Sequence, residues 1–207
     1  NSVKTFGVSG SGDDNIFNGC NNLKFNEYGY GKYLGTKDNP YFVIVNYSNP
    51  LATAIEIHPD TKIIAVQAFK GKDNLKTINI PEGVTKIAHN YSFGVATECD
   101  FITEVNIPAS CEEVEGDFIQ YYNNVLRFCV SSENKNLISE NGVLYTIDKK
   151  KLIKYPAGMV CDIFRVPDEV EEIGEYAFAH AKHVSGVYIG KNCRSIKKNA
   201  FYEITHT

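Results

Sequence analysis

The chain has 207 residues, 43% of them apolar and 22% charged, a composition that buries a core and sets disorder aside. A formal net charge of -4, with acids and bases interspersed, leaves no basic face for a phosphate backbone, so nucleic acid is excluded as an expected partner. No stretch approaches the roughly 18 apolar residues of a membrane span, and 13 Tyr with 12 Phe but no Trp favour a β-rich body without membrane insertion by this segment.

In chain order, Val3-x-x-Phe6-Gly7 matches the interior of a repeat that recurs downstream. Asp13-Asp14 lacks the ligand spacing of a calcium loop and reads as an inserted turn. GVSGSG lacks the strand before and the helix after that a phosphate loop needs. Residues 21–49 then give a lead (NNLKFNEYGYGKYLG), a turn (TKDNP) and a strand (YFVIV). Tyr28, Tyr30, Tyr33, Tyr41 and Phe42 crowd this segment, which makes the hairpins a second candidate surface, and they read as capping the solenoid's end or packing on a neighbouring coil. The same order returns at 134–158, where GVLYT and KLIKY are short strands joined by IDKK. These are read as two copies of one hairpin module.

Between and after the modules runs the repeat. Short apolar strands, most of them closed by Pro, recur as AIEIHP, TINIP, EVNIP, RFCVS, IFRVP and GVYIG. Their last apolar residues, Ile57, Ile80, Ile107, Val130, Val166 and Ile189, are separated by 23, 27, 23, 36 and 23 residues. A second run follows each strand, as in VTKIAHNYSF and VEEIGEYAF, and the unit reads L-x-x-I-x-I-P-x-x-V-x-x-I-x-x-x-A-F. Alternation sends Ile78 and Ile80 into a core and Asn79 out, and Pro ends the strand because it cannot donate to a ladder. No single coil can bury its anchors alone, so stacking must supply the core. The spacing of 27 comes from a small insertion near Gly94 to Ala96, and the spacing of 36 from the second hairpin module.

This repeat resembles that of the BspA-like leucine-rich-repeat proteins, most clearly in VPDEVEEIGEYAFAHAKHV (Val166 to Val184) and INIPEGVTKIAHNYSF (Ile78 to Phe93). The resemblance implies a leucine-rich-repeat solenoid over residues 1–207. Parallel strands stack at a period of about 23 residues in a right-handed β/α-type superhelix, mostly β with short turns or 3-10 segments, and two β-hairpin modules are inserted. It further implies a secreted or cell-surface protein that adheres to host matrix proteins or to cells, and it brings no catalytic residues. Both ends fall within the repeat, so the chain reads as a fragment of a longer array. Lys72 and Ala181 stand where the consensus has Cys, and Gly190 where it has Pro.

The 6 Cys follow the register better than a disulfide framework. Cys20 and Cys99 occupy the consensus turn site, Cys111 and Cys193 the site of Val84 and Val170, and Cys161 that of Leu75, so all five are expected to act as small core hydrophobes. Cys129 points outward, and with no placed base it reads as a partly covered thiol. His180-x-x-His183 has a metal-like spacing but nothing nearby to complete a set. Glu112-Glu113 and Glu171-Glu172 fill the x positions of V-x-x-I and face solvent. The sequons at Asn46 and Asn90 would matter only in a eukaryotic secretory pathway.

Outward strand positions form a row across coils: Glu56, Asn79, Asn106, Cys129, Arg165 and Tyr188, with Thr77, Glu104 and Arg127 two residues earlier on the same face. This concave strand face suits a protein or glycan partner held by hydrogen bonds and one or two anchors. The expectation is a monomeric, extracellular binding module that uses no cofactor or metal and does no chemistry. The alternative is a passive stalk spacing another domain.

Overall fold

The computed structural model describes residues 24–65, 68–87, 99, 101–114, 118 and 124–204. Within them the chain forms β1 (Asn26–Tyr28), β2 (Gly31–Leu34), β3 (Val43–Tyr47), β4 (Ile63–Ile64), β5 (Thr77–Asn79), β6 (Lys86–Ile87), β7 (Glu104–Ile107) and β8 (Arg127–Val130). After these come β9 (Leu137–Glu140), β10 (Val143–Thr146), β11 (Lys151–Lys154), β12 (Cys161–Arg165), β13 (Glu172–Ile173), β14 (Val184–Tyr188) and β15 (Ser195–Ile196). The described residues contain no helix.

The L-x-x-I-x-I segments stack in parallel as a first ladder, β5-β7-β8 and β12-β14. Register is strict from coil to coil: Ile78 lies beside Val105 and Val105 beside Phe128. The inward residues Ile78, Ile80, Val105, Ile107 and Phe128 are all buried. The V-x-x-I segments, read from sequence as anchors only, pair as a second ladder of two-residue strands. In it Ile64 lies beside Ile87 and Ile173 beside Ile196. Each coil is thus a flattened loop with strands on two sides and turns between them, its anchors meeting in the middle.

The consensus Cys has a visible role in that stacking. The Cys99 thiol lies 3.1 Å from the Phe69 carbonyl and accepts from the Lys72 amide at 3.2 Å, which ties one turn to the turn of the coil before. Cys111 is also buried, and burial pushes its thiol up to about 12. Cys161 and Cys193 are only half-buried, against the expectation of core placement. Cys161 sits where the first ladder is interrupted, and Cys193 belongs to the last described coil, so neither is sandwiched between two coils. Cys20 lies outside the described residues, as do Val3 to Gly7, Asp13-Asp14, GVSGSG, Asn90 and the Gly94 to Ala96 insertion.

Each hairpin module is a three-stranded antiparallel meander, β1-β2-β3 or β9-β10-β11, whose third strand joins the second ladder in parallel, β3 to β4 and β11 to β13. The expected β10 and β11 are present, while β1, β2 and β9 were not resolved as separate strands in the sequence. A two-residue turn links β9 to β10 through Asn141 (φ 51°) and Gly142 (φ 83°), a type I′ pair that Asn-Gly favours. A side chain at Gly142 would also approach Arg127 Cβ to 3.0 Å.

The second meander separates two cores. Leu144 and Ile153 pack with the N-terminal core, while Val143, Tyr145 and Leu152 pack with the C-terminal one. With both faces covered, its strands read as near-continuous apolar runs. Because this slab lies between coils, β8 does not pair with β12; instead the Phe128 amide donates to the Gly142 carbonyl at 2.9 Å.

Candidate binding face

Pairing in register places the outward residues of the first ladder side by side, and the structure divides the expected row in two. Thr77, Glu104 and Arg127 are neighbours across β5, β7 and β8, and so are Asn79, Asn106 and Cys129. Arg165 pairs with Tyr188 across β12 and β14, on the far side of the break. Glu56 is exposed next to this face, where it accepts a 2.9 Å hydrogen bond from the Tyr28 hydroxyl of the first module. That bond raises the Tyr28 pKa.

The N-terminal part of the face is bonded to itself. Asn106 Nδ2 donates to Asn79 Oδ1 at 2.8 Å and to Glu104 Oε1 at 3.1 Å, and Arg127 Nε donates to Glu104 Oε2 at 2.6 Å. These bonds, from Asn106 first and then Arg127, hold the Glu104 carboxyl below the usual carboxylate range. A carboxylate already saturated by its neighbours has little left to offer a partner.

The C-terminal part is built differently. Arg165 Cζ lies 4.5 Å from the centroid of the Tyr188 ring, and Tyr188 is 55% exposed. Two residues upstream on the same face, Ile163 faces Gly186 and is 48% exposed. Sequence reasoning missed Ile163 and Gly186 because it looked for polar side chains, although both stand at the register position of Thr77, Glu104 and Arg127.

The second-ladder face carries charge, but in matched pairs. Lys86 meets Glu113 at 2.8 Å, Lys150 meets Glu171 at 2.9 Å, and Glu172 lies between Lys151 and Lys197 at 3.1 and 3.0 Å. Glu171 and Glu172, expected to face solvent freely, are half-buried under these lysines. An open groove of about 590 Å³ beside the β10–β11 turn is lined by Lys150, Lys151, Glu171 and Glu172 of these pairs, together with Asp148 and Arg194.

His180, expected in a polar turn, is buried with its Nδ1 3.4 Å from Glu203, and His183 is exposed. Among the described residues no group of three His, Cys, Asp or Glu side chains could hold a metal. Cys129 is half-buried beside Arg127.

Comparison with known proteins agrees with this geometry. The family model for the BspA type leucine rich repeat region matches residues 46–156 and 157–207, with six copies. It is a repeat family, and no enzyme family is indicated. No curated protein matched. Two solved structures share the fold. One is PcpA, described as a pneumococcal vaccine antigen (21% identity, TM-score 0.63, 72% of this chain and 36% of that one). The other is a leucine-rich repeat protein from Eubacterium ventriosum (19% identity, TM-score 0.53, 87% of this chain and 63% of that one). The chain therefore spans less than two thirds of the length of either. By the repeat it carries along most of its length, the chain belongs to the BspA-type leucine-rich-repeat family.

Proposed function

We propose that the chain is a non-catalytic interaction module of an extracellular or cell-surface protein, acting as one repeat domain and a monomer, and that it binds a protein partner through the outward face of the first ladder. The observation that carries this reading is the contrast between β12–β14 and the other strands. Charges on the second ladder and on β7 and β8 are matched across strands, whereas β12 and β14 present Arg165, Tyr188 and Ile163 outward and uncovered. Interfaces concentrate Tyr and Arg in this way, with apolar contacts beside them. The repeat family and the fold shared with a vaccine antigen support the placement at a surface.

The test is a binding screen of the chain against arrays of extracellular proteins and of glycans, repeated with an Asn106→Ala, Arg165→Ala, Tyr188→Ala triple variant. A protein ligand lost by the variant is the expected result. Ligands bound equally by both forms would remove the strand face from consideration.

A further inference from the structure

We infer that the β12–β14 part of the face is a notch that receives a protein segment carrying a branched apolar side chain next to a carboxylate; this rests on the reading of the first ladder as the binding face. Three observations converge on it.

The first is shape. An added Cβ at Gly186 would meet only the Ile163 Cγ1, at 3.9 Å, and nothing else within reach. Gly186 has no positive φ, so the backbone there does not demand glycine. The missing side chain leaves a gap in the row, floored by the β14 backbone and walled by Ile163 on one side and Tyr188 further along.

The second is apolarity. Ile163 and Tyr188 are apolar or aromatic and 48% and 55% exposed, where β5, β7 and β8 carry the mutually bonded polar residues Asn79, Glu104, Asn106 and Arg127. An incoming Leu, Ile or Val seated over Gly186 would cover both, burying apolar surface that the chain itself leaves in water.

The third is charge. Arg127, the first-ladder arginine on the other side of the break, is committed to Glu104, but among the described residues no carboxylate pairs with Arg165. Its guanidinium lies over Tyr188, which holds the plane in place and leaves the donor fork for an acceptor from outside. Arg165 lies two residues beyond Ile163 on the same face of β12, so the carboxylate should sit one or two residues from the apolar side chain in an extended partner.

The probe is a phage-displayed library of random dodecapeptides panned on the immobilised chain. Enriched peptides should share Asp or Glu next to Leu, Ile or Val. Gly186→Leu, which fills the notch, and Arg165→Glu, which reverses the charge on an exposed side chain, should each weaken binding by roughly tenfold or more, while Lys150→Ala on the other ladder should not. Should Gly186→Leu misfold, Gly186→Val and Arg165→Glu carry the same test. Peptides that tolerate the notch variants but are lost on Asn79→Ala with Asn106→Ala would overturn the notch and spare the binding face. Failure to enrich any peptide, with glycans on an array captured through Arg165 instead, would overturn the assignment to a protein segment. Peptides insensitive to every first-ladder change would overturn the face as well.

Discussion

Asn134 occupies the position held by Val84, Cys111 and Val170 in other coils, yet replacing it with the valine of a regular coil should be strongly destabilising. It is 3% exposed and makes four hydrogen bonds. Its Nδ2 donates to the Pro108 carbonyl at 2.7 Å and the Cys111 carbonyl at 2.9 Å, and its Oδ1 accepts from the Asn136 and Leu137 amides, each at 2.8 Å. In Asn134→Val the Pro108 carbonyl keeps the Cys111 amide at 3.4 Å, and Asn136 is exposed enough for water to replace the lost bond. The Cys111 carbonyl and Leu137 amide belong to buried residues and gain no such substitute. At about 1–3 kcal/mol for each buried orphan and about 0.5–1 for each of the others, less about 1–2 for burying the valine, the net loss is about 4 kcal/mol. For a chain of this size that lowers Tm by about 8–16 °C. Thermal melts followed by circular dichroism would measure it, with hydrogen exchange at Leu137 and Phe128 reporting whether β9 and β10 open first. A variant that melts within about 1 °C of the parent, or higher, would refute the assignment of Asn134 as the tie between the second meander and the coil before it.

Thr61 fills the same position three coils earlier, fully buried and with no hydrogen bond to its hydroxyl, so Thr61→Val should raise stability by about 1–2 kcal/mol; a lower Tm would contradict this. His180 titrates below its ordinary 6.5 because it is buried, with Glu203 opposing the shift and Lys154 and Lys182 adding to it. Since the folded pKa lies below the unfolded one, the unfolded chain takes the proton first, and stability should fall as pH drops from about 6.5 toward the folded value. His180→Asn, tolerant of the φ of 61°, should flatten the Tm profile in that window, and an unchanged slope would refute the reasoning. Iodoacetamide labelling of native protein, read by mass spectrometry, should spare the buried Cys99 and Cys111 and modify Cys129, Cys161 and Cys193 sooner. Early labelling of Cys111 would show the stack to be looser than described.

Period and register carried most of the fold, because the Ile78–Val105–Phe128 and Ile64–Ile87 contacts lie between equivalent positions of successive coils. The second ladder was hidden because two-residue strands such as Lys86–Ile87 are too short for alternation to show. The Asn-Gly turn at 141–142 was a local signal for β9, masked by the polar content of Leu137–Glu140. The break between β8 and β12 could not be read from spacing: the separation of 36 residues shows that something is inserted, while the burial of both meander faces decides that it wedges coils apart. Expected side chains such as Arg165 and Tyr188 were legible as outward, but the mutual bonding that occupies Glu104 and leaves Arg165 available depends on distances.

The most direct test of the first ladder as the binding face is site-specific photocrosslinking to a partner selected on the intact chain. A photoreactive side chain would be placed in turn at Asn79, Asn106 and Tyr188 on the first ladder, and at Lys86, Glu113 and Lys197 on the second. Crosslinks from the first set, strongest at Tyr188 beside the notch, are the predicted result. Crosslinks confined to the second set would contradict it.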